Sequence, residues 1–270
     1  MKREELSSDD YFSPPGVCDE AGCRRLFQNV GRIVPHSDVE MKQMQRNDVI
    51  RRIHALLQSQ PNVNVYVFDD FLPAVDGGPA TLFSEELLRE FPVDRVRIWA
   101  PNLKLPIVEA QRRLDGPLGW LTAGFGCWHH FNARWEEEIH RAGGLDVVFA
   151  DCFRGFERGC GALMADLVER RLVRRRTDAR DERQCAVTFA VSDRYERTQG
   201  WSAAESALSI FLEFGKLFVR DHECPYAARI LSHASYGVTM HYFVAVIHER
   251  QWAPRISGFE ARVEHWESKP

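Results

Sequence analysis

No apolar run of about 18 residues occurs in the 270-residue chain, and no basic-then-apolar leader opens it, so neither a membrane span nor a signal peptide is expected. Lysine is scarce, five of the 35 cations, and the 39 acidic residues leave a formal charge of −4. That balance excludes a global basic field of the kind that drives nucleic-acid binding. The seven cysteines are scattered with no repeated CxxC pair, which predicts reduced thiols in an intracellular compartment. Cys18 and Cys23 could form half of a metal site, but no second pair lies at ligand spacing, so free thiols are the preferred reading. Residues 1–35 lack any sustained hydrophobic period and are read as a mobile or loosely docked arm.

With 44% hydrophobic and 11% aromatic residues, the remaining chain can bury a substantial core as one large domain, residues 36–270. Its organising stretch is Val63 to Thr81. Val63, Val65 and Val67 mark a β-rich run that stops at Asp69 and Asp70. A turn-rich segment with Gly77 and Gly78 follows, and Thr81 to Phe91 carries Phe83, Leu87, Leu88 and Phe91 near helical spacing. Strand, glycine-bearing loop and helix start form a unit that can hold a nucleotide or nucleoside. The helix end offers unpaired N–H groups, glycine admits a ligand close to the main chain, and a strand-tip carboxylate can accept from a ribose or an amino group. The bland alternative is a surface loop with incidental acids.

The rest of the chain alternates in the same way. Ser37 to Glu40 has the form of a capping box and predicts a helix before the first strand. Val93 to Ala100, closed by Pro101-Asn102, reads as a second strand, and Gly119 to Thr122 as a weak third. Leu145 to Asp151 is a nearly unbroken apolar run after the helix-stopping Gly143-Gly144, the pattern of a buried parallel strand. Cys185 to Val191 is another, ending at Ser192-Asp193. Helices are expected over Pro106 to Leu114, after the run Phe125 to His130 as far as about Ala142, over Cys160 to Val173, and from a second capping box, Ser202 to Glu205, through Phe218. Ala227 to Ser235 and Met240 to His248 form a closing hairpin. The expectation is an α/β fold: a doubly wound, mostly parallel seven-stranded sheet with a C-terminal antiparallel hairpin. Its strand tips carry Asp69 and Asp70, Asn102, Asp151, and Ser192 with Asp193, and ligands of such sheets bind beyond those tips.

Two further clusters have more than one reading. Cys127, His129 and His130 suggest zinc, but adjacent histidines point to different helix faces and no fourth ligand is evident. The arginine-rich segment Arg170 to Arg183 is read first as a solvated helix end and loop, with a local phosphate-contacting patch for nucleic acid as the alternative.

From Val63 to Ile247 the chain resembles the class I S-adenosylmethionine-dependent methyltransferases, whose sheet ends in the same late hairpin. More narrowly, Leu145 to Asp151 with Ala186 to Asp193 and Tyr236 to Val244 resembles the divergent methyltransferase-like proteins of large DNA viruses of protists. The resemblance implies S-adenosylmethionine as cofactor and places the protein in a host cytoplasm or virion. It implies that Asp69, Asp70, Gly77 and Gly78 stand at the first motif, Asn102 at the ribose position and Asp151 beside the transferred methyl. No GxGxxG follows the first strand. Neither Asn/Asp-Pro-Pro-Tyr nor a catalytic Pro-Cys follows Asp151, which argues against methylation of exocyclic amines on DNA bases and of cytosine C5. The acceptor is left open.

Asp69-Asp70, Gly77-Gly78 and Thr81 also resemble the diphosphate-sugar site of phosphoribosyltransferases. A third reading is a methyltransferase fold that has lost catalysis and serves as a binding or structural subunit.

Overall fold

The computed structural model describes residues 39–72, 79–102, 104–114, 120–126, 128–151, 160–174, 185–193, 198–219, 226–236, 240–249 and 264–265. The expected arm, Ser37, Gly77, Gly78 and most of the arginine-rich segment lie outside them, as do the side chains of the Cys127, His129 and His130 cluster.

Six helices are described: α1 (Val39–Leu57), α2 (Phe83–Glu90), α3 (Leu105–Leu114), α4 (Trp128–Arg141), α5 (Ala162–Glu169) and α6 (Ala203–Val219). The strands are β1 (Val63–Val67), β2 (Phe71–Leu72), β3 (Thr81–Leu82), β4 (Val96–Asn102), β5 (Leu121–Phe125), β6 (Val147–Asp151), β7 (Cys185–Ser192), β8 (Tyr226–Tyr236), β9 (Met240–Glu249) and β10 (Glu264–His265). The main sheet runs β10-β8-β9-β7-β6-β1-β4-β5. β5, β4, β1, β6 and β7 are mutually parallel, and β9 is antiparallel to both β7 and β8. This is the expected doubly wound, mostly parallel sheet with its reversed strand near the end, extended by the two-residue edge strand β10. Chain order reverses direction between β1 and β6, which makes their carboxyl tips a crevice position.

The apolar pattern explains the layering. All five residues of β1 are buried, because alternate side chains enter opposite cores. Val63, Val65 and Val67 meet Val49 and Ile53 of α1 and Phe83 and Leu87 of α2 on one face. Tyr66 meets the other face, where Phe131 and Ile139 of α4, Leu163 and Leu167 of α5, and Phe214 and Phe218 of α6 pack. The Tyr66 hydroxyl donates to Asn132 at 2.6 Å, and Asn132 donates in turn to Asp166 at 2.6 Å, so the buried phenol is satisfied. Among the described residues no helix is long and apolar enough to cross a membrane.

Several boundaries differ from expectation for identifiable reasons. The second strand starts at Val96, not Val93, because residues 93–95 form a turn in which the Arg95 guanidinium collects the carbonyls of Leu57, Gln60 and Pro61. The third runs further, to Phe125, since it pairs with β4 as far as Asn102. Helix α2 starts at Phe83, because Thr81 and Leu82 pair with Leu72 and Phe71 in a two-stranded ribbon that no sequence pattern indicated. The second capping box forms as expected: the Ser202 amide donates to Glu205 at 2.7 Å and the Glu205 amide to Ser202 Oγ at 3.2 Å. The Ser202 amide and the Ser202 hydroxyl, both donating to it, hold the exposed Glu205 carboxyl below its ordinary value. The expectation of uniformly reduced thiols is corrected at Cys160, which is disulfide-bonded. Cys185 is a buried free thiol, and burial pushes its pKa well above the ordinary value.

Gly144 ends α4 at φ +87°, with its amide on Ile139 O at 2.9 Å. A Cβ there would lie 2.6 Å from the Arg174 Cα and 2.7 Å from its nitrogen. Gly144→Ala combines a left-handed backbone with a clash against main chain, and a loss of about 2–4 kcal/mol is expected. A fall in the urea midpoint at unchanged slope would show it.

Candidate functional site

The carboxyl tips of β1, β4 and β6 meet under α1. β1 leads directly into Asp69 and Asp70, both buried. Asp69 serves α2: its Oδ1 accepts the Phe83 amide at 2.7 Å, and its Oδ2 accepts the Ser84 amide at 3.1 Å and Gln111 Nε2 at 3.0 Å, with the Ser84 hydroxyl also donating. These bonds satisfy orphan amides of the helix start from a distant residue. Burial pushes the Asp69 carboxyl above its ordinary value, against the lowering effects of Arg46, Ser84, Gln111 and the Phe83 amide.

Asp70 points elsewhere. Its Oδ1 accepts its neighbour's amide, Phe71 N, at 2.9 Å, and its Oδ2 pairs with Lys104 Nζ at 2.5 Å. Asn102, at the tip of β4, closes the same cluster by donating to Asp69 O at 2.6 Å and accepting the Lys104 amide at 2.8 Å. Asp70 and Asn102 are therefore joined through one lysine. Asp151, at the tip of β6, forms an ion pair with Lys42 of α1, both side chains largely buried.

The residues that bind this edge together were not singled out from sequence. One helical turn beyond Lys42, Arg46 donates to Asp70 O at 2.7 Å, Thr81 O at 3.2 Å and Glu86 at 2.6 Å, and lies 5.5 Å from the Phe83 ring centre. Lys42 and Arg46 stand seven and three residues before Val49, so the apolar stripe of α1 continues backward through them. Helical spacing alone places both cations on the inward face. Their charge hides them from a search for hydrophobic positions. Gln45 between them is 1% exposed, and neither its oxygen nor its nitrogen has a hydrogen-bond partner among the described residues.

The structure thus brings Asp69, Asp70, Asn102 and Asp151 to one edge, while Gly77 and Gly78 are not described. The arrangement offers carboxylates and cations in alternation, suited to a zwitterionic or polar ligand. At the opposite edge, two of the arginines noted from sequence serve internal pairs: Arg174 with Asp146 at 2.8 Å, and Arg170 with Asp166 at 2.9 Å and Glu136 at 2.8 Å.

No family model matches the chain, and no curated protein matches it. Among solved structures it is similar to the O-methyltransferase TomG from Streptomyces achromogenes, solved with SAM, at 12% identity, TM-score 0.47, over 92% of this chain and 99% of that one. It is similar to an O-methyltransferase from Bacillus cereus, solved with SAH, at 12% identity, TM-score 0.43, over 85% and 100%. It is also similar to the 23S rRNA methyltransferase ErmE at 10% identity, TM-score 0.37, over 75% and 68%.

Proposed function

We propose that the protein is an S-adenosylmethionine-dependent methyltransferase whose cofactor lies along the carboxyl tips of β1, β4 and β6. The observation that carries the reading is the convergence of Asp70, Asn102 and Asp151 on one edge with Lys42, Arg46 and Lys104 between them. This donor set fits the ligand's chemistry: acids suit its ammonium and sulfonium, cations suit its carboxylate, and the Asn102 amide suits a ribose hydroxyl. Gly77 and Gly78 would admit it to the main chain. Asp69 acts by holding the start of α2 rather than by touching the ligand. When bound, the sulfonium supplies a methyl group activated for in-line displacement. The chain's part is to hold donor and acceptor in line, with Asp151 bordering the acceptor.

Titration calorimetry of the full chain with S-adenosylmethionine at up to millimolar concentration tests this reading. Heat and a thermal upshift are expected, and Asp70→Ala should weaken the affinity at least tenfold and shrink the upshift. Silence with this ligand overturns the proposal. Heat with phosphoribosyl diphosphate and magnesium instead would support the phosphoribosyltransferase reading, and silence with both would leave a non-catalytic subunit.

A further inference from the structure

Helix α6 has two apolar faces, and the fold of a single chain uses one of them. Its 17 residues, Ala203 to Val219, carry three charged side chains, Glu205, Glu213 and Lys216. Ile210, Phe214 and Phe218 turn inward and pack in the same core as Phe189 of β7 and Phe243 of β9. The opposite face holds Leu208 at 57% exposure and Leu212 at 51%, with Trp201 just before the helix at 43%. These are three of the five large apolar side chains exposed among the described residues, so they form a patch rather than a scatter. A helix that is apolar all round is ordinarily enclosed all round. The outer stripe of α6 therefore lacks a cover.

The order of residues along the stripe identifies that cover. Each residue turns about 100° around the axis, so Leu208 and Leu212 share its centre line. Glu205 and position 216, a lysine, lie along one flank, and Ala204 and Gly215 along the other. Ala204 and Glu205 are exposed and Gly215 is half-buried. The pattern is symmetric about Ile210. A leucine stands two positions away in either direction. Five or six positions away stand a small residue on one flank and a charge on the other, with the acid toward the amino end and the lysine toward the carboxyl end.

A two-fold contact requires such self-complementarity, because the same patch must fit itself. Two copies of α6 laid antiparallel across an axis at residue 210 set Leu208 of each against Leu212 of the other. The same operation sets Glu205 of one copy beside position 216 of the other, twice over. It also sets Ala204 beside Gly215, where small side chains let the helix axes approach to about 8–10 Å. A parallel pair brings Glu205 against Ala204 instead and leaves the charges without counterparts. Ser202 already holds Glu205 through its Oε2, so pairing costs that carboxylate little further side-chain entropy.

We propose that the outer face of α6 is a docking surface for a second copy of this chain, bound antiparallel about Leu208 and Leu212. A helix of this length presents a strip about 25 Å long and about 10 Å wide, well short of the roughly 800 Å² per partner of a standard stable interface. The dimer is therefore expected to dissociate at micromolar concentration. Helix α6 packs on the face of the sheet opposite α1, so the pairing does not depend on the cofactor reading.

Two measurements on the full chain test this. Sedimentation velocity from about 1 to 300 μM should show the weight-average mass rising from one chain toward two. Leu212→Arg, and the milder Leu208→Gln, should move that rise to at least about tenfold higher concentration while circular dichroism and Tm stay native, since both side chains face solvent in the single chain. In the second, Leu208→Cys and Leu212→Cys chains are mixed under mild oxidation. The mixture should cross-link several-fold faster than either variant alone or the native chain, because an antiparallel pair sets one position against the other within disulfide reach. A monomer at every concentration overturns the proposal and leaves the stripe to a different protein. A dimer indifferent to Leu212→Arg and Leu208→Gln, or either cysteine variant linking to itself as fast as the mixture, also overturns it.

Discussion

Arg174→Met should destabilise the protein by about 3–5 kcal/mol, on the order of a 10 °C fall in Tm, because it strips Asp146 of its countercharge inside the molecule. Asp146 is fully buried and Arg174 is 8% exposed. The carboxylate accepts the Asn64 amide at 2.8 Å and the Arg174 guanidinium at 2.8 Å. Burial already pushes the Asp146 carboxyl above its ordinary value despite the arginine and the amide, and removing the arginine pushes it further. The sign follows from linkage: a folded-state pKa raised above the unfolded one makes stability fall as pH rises between them. The variant's deficit should therefore be smallest below the carboxyl's ordinary pKa of 3.8 and complete at neutral pH. Chemical denaturation across that range checks it. Replacing both partners with apolar residues should recover much of the loss, since no unpaired charge then remains buried; a double variant as unstable as the single one would show that the fork holds the chain by geometry instead.

Asp69→Ala carries the second large effect and separates two roles for one acid. The carboxylate holds the Phe83 and Ser84 amides, the Ser84 hydroxyl and the Gln111 amide. Its removal takes a helix cap of about 1 kcal/mol and leaves buried donors unmet at about 1–3 kcal/mol more. A loss of roughly 3 kcal/mol is expected by denaturation, with cofactor affinity at low temperature within a few fold of the native chain. Were Asp69 a ligand contact, the pattern would invert: affinity would collapse and the melting temperature would barely move.

Much of the architecture was readable from periodicity. The all-apolar tendency of Val63 to Val67, Val147 to Asp151 and Cys185 to Ser192 signals strands buried on both faces, and Ser202 with Glu205 signals a helix start. The short Phe71–Leu82 ribbon was not readable, since two residues per strand are too few to show a period. The start of β4 was obscured because an Arg95 side chain, not a hydrophobic pattern, sets where the turn ends.

The order of strands and helices, the late hairpin and the polar residues at the strand tips were settled by local pattern, because period and punctuation are properties of neighbouring residues. The partners of those tips were settled only in three dimensions. Asp151 meets Lys42 and Asp193 meets His241, contacts between residues 109 and 48 positions apart in sequence. Whether an acid caps a helix, closes an ion pair or meets an imidazole depends on what folding brings within hydrogen-bond reach, and no spacing along the chain encodes that.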